Sequence, residues 1–137
     1  MTEAVHRGLA EQGFADIRPA HGYAFSLIAV RGGATGVEIA MHLGMTKQSA
    51  KVLIDQLEVA GYVTRERIER DRRARVVQLT HRGWSCIEAG TQLWSESEAD
   101  LSNVVGAQAV RTTRQVLEQL VAAHIGPDEA TPLRPAR

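Results

Sequence analysis

The chain has 137 residues and a mass of 15.0 kDa, enough for one domain with a buried core and too little for a large multidomain enzyme. Its 44% hydrophobic and 23% charged residues describe a compact globular protein rather than a disordered or fibrous one, and 16 basic and 16 acidic side chains leave no formal net charge. The single cysteine, Cys86, excludes an internal disulfide and a thiolate zinc cluster and suits a reducing, cytoplasmic compartment, while the longest apolar stretch, Tyr23 to Val30 broken by Ser26, falls far short of the roughly 20 residues of a membrane span.

Along residues 2–30 two helical patterns meet near Asp16-Ile17-Arg18-Pro19, where Pro19 fits the first turn of a helix running to about Val30 and ended by Arg31-Gly32-Gly33. Thr35-Gly36-Val37-Glu38 has the form of a capping box, opening a short helix that stops at Gly44. Thr46 is the next N-cap. It starts a helix in which Ala50, Leu53, Ile54 and Leu57 recur at three- and four-residue spacing up to Ala60-Gly61. The opposite face carries Lys47, Gln48, Lys51, Asp55 and Glu58, with Val52 at its edge. Two short helices with a three-residue turn between them make a helix-turn-helix.

After Gly61 the period changes to two. Val63 to Ile68 and Val76 to Thr80 read as strands, with the polar Glu69-Arg70-Asp71-Arg72-Arg73 at the hairpin tip. A helix-turn-helix followed by a basic hairpin is a winged helix, so the predicted fold is mainly α with a small β-hairpin wing. From His81 to about His124 the pattern is helical again. Ile87, Trp94 and Leu101 recur every seven residues, and Val110, Val116, Leu117, Leu120 and Val121 form a second stripe that a symmetric partner chain would cover. From Gly126 the sequence turns to Pro127, Pro132 and Pro135 among small and charged residues, which reads as a frayed tail. The predicted organisation is one domain over 1–137, with a winged core at 31–83, dimerisation helices at 1–18 and 84–125 and a flexible tail at 126–137.

The zero net charge conceals a polarity. Residues 61–82 hold seven arginines against three acids, and residues 84–105 hold four acids and no base. Such a distribution steers an anionic ligand to one region, although a solvated hairpin followed by an acidic surface helix is the plainer reading.

Four segments, Thr46-Lys47-Gln48-Ser49-Ala50, Leu57-Glu58-Val59-Ala60-Gly61-Tyr62-Val63, Asp71-Arg72-Arg73 and Leu79-Thr80-His81-Arg82-Gly83, together resemble the MarR family of bacterial transcriptional regulators in order and spacing. The resemblance covers about Arg18 to Gly90 closely and the remainder through its helical pattern. It implies a homodimer built from N- and C-terminal helices, with two winged lobes reading a palindromic operator in double-stranded DNA, as a repressor would. It also implies that the helix from Thr46 to Ala60 is the recognition helix, and that Asp71 braces a wing whose arginine enters the minor groove.

The residue chemistry agrees with these roles. Thr46, Gln48 and Ser49 are donors and acceptors at the N-terminal half of a helix, where a major groove is read. Gln48 suits adenine, Val52 a thymine methyl, and Lys47 and Lys51 phosphate or guanine. Arg70, Arg72, Arg73 and Arg75 suit phosphates and a narrow, electronegative minor groove. The family likeness further implies a small aromatic effector, for which Tyr23, Phe25, Trp84 and Trp94 are candidate lining residues. Aromatic residues at helical spacing are more commonly core.

An enzyme would need a nucleophile with its base, a carboxylate pair or a cofactor loop, and none is arranged here. Gly32, Gly33 and Gly36 form no phosphate-binding fingerprint, and His6, His21, His42, His81 and His124 have no metal-ligand spacing. The expectation is therefore no enzyme, cofactor or metal. Cys86 reads as a buried inert thiol, with a redox-responsive regulator as the alternative. A winged-helix module that docks protein instead of DNA is the competing class. The five arginines from Arg67 to Arg75 favour phosphate over such an apolar partner.

Overall fold

The computed structural model describes residues 2–68 and 71–124, without the side chains of residues 2, 67, 68, 71–74, 121 and 124. The elements run α1 (Thr2–Glu11), α2 (Pro19–Arg31), β1 (Ala34–Thr35), α3 (Gly36–His42), α4 (Lys47–Val59), β2 (Val63–Ile68), β3 (Asp71–Leu79), α5 (His81–Val105) and α6 (Ala107–His124). They form two compact units. Among the described residues the winged unit spans 16–88, and the helical unit joins residues 2–15 with 89–124.

In the winged unit local sequence signals become caps. Pro19 occupies the first turn of α2, and the Arg18 backbone N–H donates to His21 Nδ1 at 3.2 Å. Burial, then the Arg18 charge, hold the His21 pKa below its ordinary value against the opposing pull of Asp16, so the ring is kept as the neutral acceptor that this bond needs. Gly32 closes α2 in the left-handed conformation at φ 66°, while the Gly33 N–H donates to the Ile28 carbonyl at 2.9 Å. The Thr35 hydroxyl accepts from the Glu38 N–H, and the Glu38 carboxylate accepts from the Thr35 N–H at 2.7 Å, which closes the capping box of α3.

A three-stranded antiparallel sheet has the order β1-β3-β2, with Ala34 opposite Val77 and Val63 opposite Leu79. The core of the unit lies under this sheet and among α2, α3 and α4. Phe25, Ile28, Ile39 and Tyr62 are its largest fully buried side chains, joined by Leu43, Ala50, Leu53, Ile54, Leu57 and Val77. The Phe25 and Tyr62 rings are 5.7 Å apart between centroids. The Tyr62 hydroxyl donates to Asp16 Oδ1 at 2.7 Å and accepts from Arg82 Nη2 at 3.0 Å, and the Arg82 guanidinium lies 4.6 Å from the ring centroid. The root of the wing, the start of α5 and the segment before α2 are thus fastened at one buried phenol.

In the helical unit α1 buries Val5 and Leu9. A Cβ on Gly8 would stand 2.5 Å from Leu93 Cδ2, so α1 lies closely against the middle of α5 and a larger residue at Gly8 would require the Leu93 side chain to shift. Gly106, at φ 87°, separates α5 from α6, and an ion pair between Glu98 and Arg114 joins the two helices. Trp94, Leu101, Val105, Val116, Leu117 and Leu120 remain exposed. No helix among the described residues is long and apolar enough to cross a membrane.

Two features differ from the sequence reading. The second wing strand starts at Asp71 rather than Val76, with an irregularity that places Arg67 opposite Arg75 but Ile68 opposite Asp71. Asp71, Arg72 and Arg73 are therefore strand residues by their backbone. The two-residue strand β1 has no counterpart in the sequence reading, and it turns the hairpin into a sheet.

Candidate nucleic-acid interface

The outer face of α4 is set by its own buried stripe. With Ala50, Leu53, Ile54 and Leu57 turned to the core, Lys47, Gln48, Lys51 and Val52 must project outward, and all four are exposed, as are Thr46 and Ser49. Thr46 carries the N-cap: its hydroxyl accepts from the Ser49 N–H at 3.1 Å and lies 2.9 Å from the Ser49 hydroxyl. The outer start of α4 therefore presents backbone N–H groups, two hydroxyls, an amide and two ammonium groups. Such a set can donate to phosphates and read base edges.

Beside α4, an open cleft of about 500 Å³ is floored by Gly36, Val37, Ile54 and Val77 and bordered by Lys47, Lys51, Arg65 and Arg75. Arg75 is exposed on β3 and, like Lys47, forms no ion pair among the described residues. Lys51 does: its Nζ donates to Asp55 Oδ2 at 2.7 Å. The Asp55 carboxyl lies below the usual carboxylate range, through its hydrogen bond to Lys51 and then that to Arg65. Arg65 also reaches Glu58, and this double pairing across elements was not part of the sequence reading. Its only trace in the sequence is the spacing Asp55, Glu58, Arg65, which has no meaning until β2 lies beside α4.

Arg70 lies outside the described residues, and the side chains of Asp71, Arg72 and Arg73 are not described. Of the aromatic candidates for effector binding, Phe25 is core beneath Tyr62 and Tyr23 is half-buried. Trp84 is 45% exposed in the winged unit, and Trp94 is 44% exposed in the helical unit. Cys86 is 4% exposed. Burial, with the Asp16 charge behind it, pushes its thiol up to about 11 against the opposing effect of Arg82, which leaves almost no thiolate at neutral pH. Among the described residues no group of three His, Cys, Asp or Glu side chains gathers as a metal site.

Two short helices joined by a tight turn, the second capped by Thr46, and a three-stranded sheet define a winged helix-turn-helix. Residues 15–74 match the model of the MarR family. No curated protein matches the chain by sequence. Among solved structures the chain is similar to RV1404 from Mycobacterium tuberculosis, at 18% identity over 93% of this chain and 86% of that one, with a TM-score of 0.78. A mutant of MarR from E. coli is 24% identical over 88% and 90%, with a TM-score of 0.70. A mutant of MepR from S. aureus, solved bound to an oligodeoxyribonucleotide, is 21% identical over 89% and 88%, with a TM-score of 0.67.

Proposed function

We propose that the protein is a cytoplasmic, homodimeric transcriptional regulator, a repressor that binds a palindromic operator in double-stranded DNA and is released by a small aromatic effector. The observation that carries this reading is the outer face of α4, polar and cationic and free of core duty, beside the exposed Arg75 of the wing strand. In this reading α4 enters the major groove. Gln48 and Ser49 meet base edges, Val52 meets a thymine methyl, and Lys47 and Lys51 meet phosphates or guanine, with Thr46 holding the helix start. Arg70, Arg72, Arg73 and Arg75 take the flanking minor groove and its phosphates, with Asp71 bracing the wing. The oligonucleotide complex of the similar MepR supports the same use of the fold.

The exposed apolar stripes of α5 and α6 are the proposed dimer surface, since a symmetric partner is the commonest cover for such a face. Tyr23 and Trp84, both on the winged unit, are the aromatic groups proposed to meet an effector. The effector would act by favouring a dimer whose recognition helices are wrongly spaced for successive major grooves about 34 Å apart. Retention of an enriched palindromic duplex by the purified protein tests the DNA assignment. Selected duplexes without a common sequence would move the protein to the interaction-module class.

A further inference from the structure

Two carboxylates, Asp55 and Glu58, stand on α4 three residues apart, beside the groups proposed to approach DNA. Left unpaired, each would repel a phosphate backbone across a few ångströms. One cation from another element answers both. Arg65 of β2 donates through Nη2 to Asp55 Oδ1 at 2.5 Å and through Nη1 to Glu58 Oε2 at 2.6 Å. Lys51 holds the remaining Asp55 oxygen at 2.7 Å. The Arg65 side chain is 19% exposed, so its pairs are partly withdrawn from water and from salt. A forked guanidinium can serve two acceptors at once, which a single ammonium does less well. Arg65 pairs with Val77 in the sheet, two residues along the hairpin from the Arg67 and Arg75 pair.

We infer, resting on the DNA-binding reading above, that Arg65 is a positioning residue of the nucleic-acid interface. It masks the two α4 carboxylates and ties α4 to the wing sheet, so that helix and wing present one cationic face.

The test compares the full chain with Arg65→Lys and with three variants that remove the cation. These are Arg65→Gln, Arg65→Gln combined with Asp55→Asn and Glu58→Gln, and Arg65→Gln combined with Glu96→Gln and Asp100→Asn in the helical unit. Thermal unfolding establishes that each is folded. Binding to a mixed-sequence duplex and elution from heparin are then measured across a salt series. Arg65→Gln is expected to weaken duplex binding about tenfold, the scale of one unmasked charge near a phosphate. Neutralising Asp55 and Glu58 restores it, and neutralising Glu96 and Asp100 does not. Arg65→Lys, which keeps the charge without the fork, restores only part.

Wild-type affinity in Arg65→Gln overturns the assignment. So does a loss that removal of the two carboxylates fails to restore, and if the salt slope also falls by about one, Arg65 is a direct phosphate contact instead. Absence of duplex binding by the wild-type protein would defeat the DNA reading alone. The heparin series then decides the masking: the same order of variants supports it, and indifference to Arg65 overturns it.

Discussion

At the scale of single residues, chemistry and exposure converge on a few side chains of α4 and the wing. Gln48 is exposed on the outer face of α4 and is the residue proposed to read a base, while Arg73 belongs to the strand that leads from the wing tip. Gln48→Ala is expected to cost about 1–3 kcal/mol on the preferred operator and to relax its sequence preference. Arg73→Ala is expected to cost a similar amount on any A·T-rich flank. Binding titrations of both variants against matched and mismatched duplexes separate the two roles. His21 gives a prediction of a different kind. Its folded-state pKa lies below the ordinary value because the ring is buried and, to a smaller extent, because the Arg18 charge opposes protonation, and the neutral ring accepts the Arg18 N–H. The stabilisation from this cap is thus complete above the ordinary histidine pKa of about 6.5 and is lost as pH falls from there toward the lowered value. Denaturant unfolding of wild type and His21→Gln at pH 7.5 and 5.5 should show the wild-type advantage shrinking at the lower pH. A constant advantage would remove the cap from the explanation.

At the scale of elements, what the sequence disclosed and what it hid follow one physical division. The capping box at Thr35 and Glu38, the Thr46 cap, Pro19 at the start of α2 and the buried stripe of α4 are local signals, complete within a few residues, and each appears in the structure where its residues stand. The outward set from Thr46 to Val52 follows directly from that stripe, so this part of the candidate site was legible. The strand β1 was not, because two residues have no periodicity and Ala34 and Thr35 acquire strand geometry only by pairing with Val77 and Val76. The early start of β3 was hidden for a related reason: Asp71, Arg72 and Arg73 carry turn-like polarity, and pairing across the hairpin overrides it. The Arg65 pairing with Asp55 and Glu58 is tertiary and has no local signature.

The junction between wing and α5 supplies this scale's prediction. Thr80 caps α5 by accepting from the Gly83 N–H at 3.2 Å, and a Cβ on Gly83 would lie 2.3 Å from the Tyr62 carbonyl oxygen and 2.9 Å from Leu79 Cδ2. Backbone cannot move aside as a flexible side chain can. Gly83→Ala should therefore destabilise the winged unit by about 1–3 kcal/mol, despite the better helix propensity of alanine. Chemical denaturation measures the change, and a neutral or stabilised variant would show that α5 does not seat against Tyr62 as described.

At the scale of the molecule, a formally neutral chain separates its charges, with arginines gathered from Arg65 to Arg82 and acids from Glu88 to Asp100. Such polarity allows a polyanion to be recruited to the wing without a basic protein overall. The helical unit leaves Leu117, 56% exposed, among the apolar side chains of α6. A charge placed on the proposed dimer surface should be poorly tolerated, so Leu117→Asp is expected to shift sedimentation at micromolar concentration toward the monomer. An unaltered dimer would move the interface elsewhere. Loss of the dimer should also weaken operator binding, because two half-sites are then engaged separately.

The most direct measurement is selection of a random duplex library by the purified protein across increasing salt, with sequencing of what remains bound. The expected result is an enriched palindrome whose half-sites lie about 10 base pairs apart, retained at salt concentrations that release the bulk of the library. Binding that stays weak, vanishes with salt and enriches no sequence would contradict the assignment of α4 as a recognition helix.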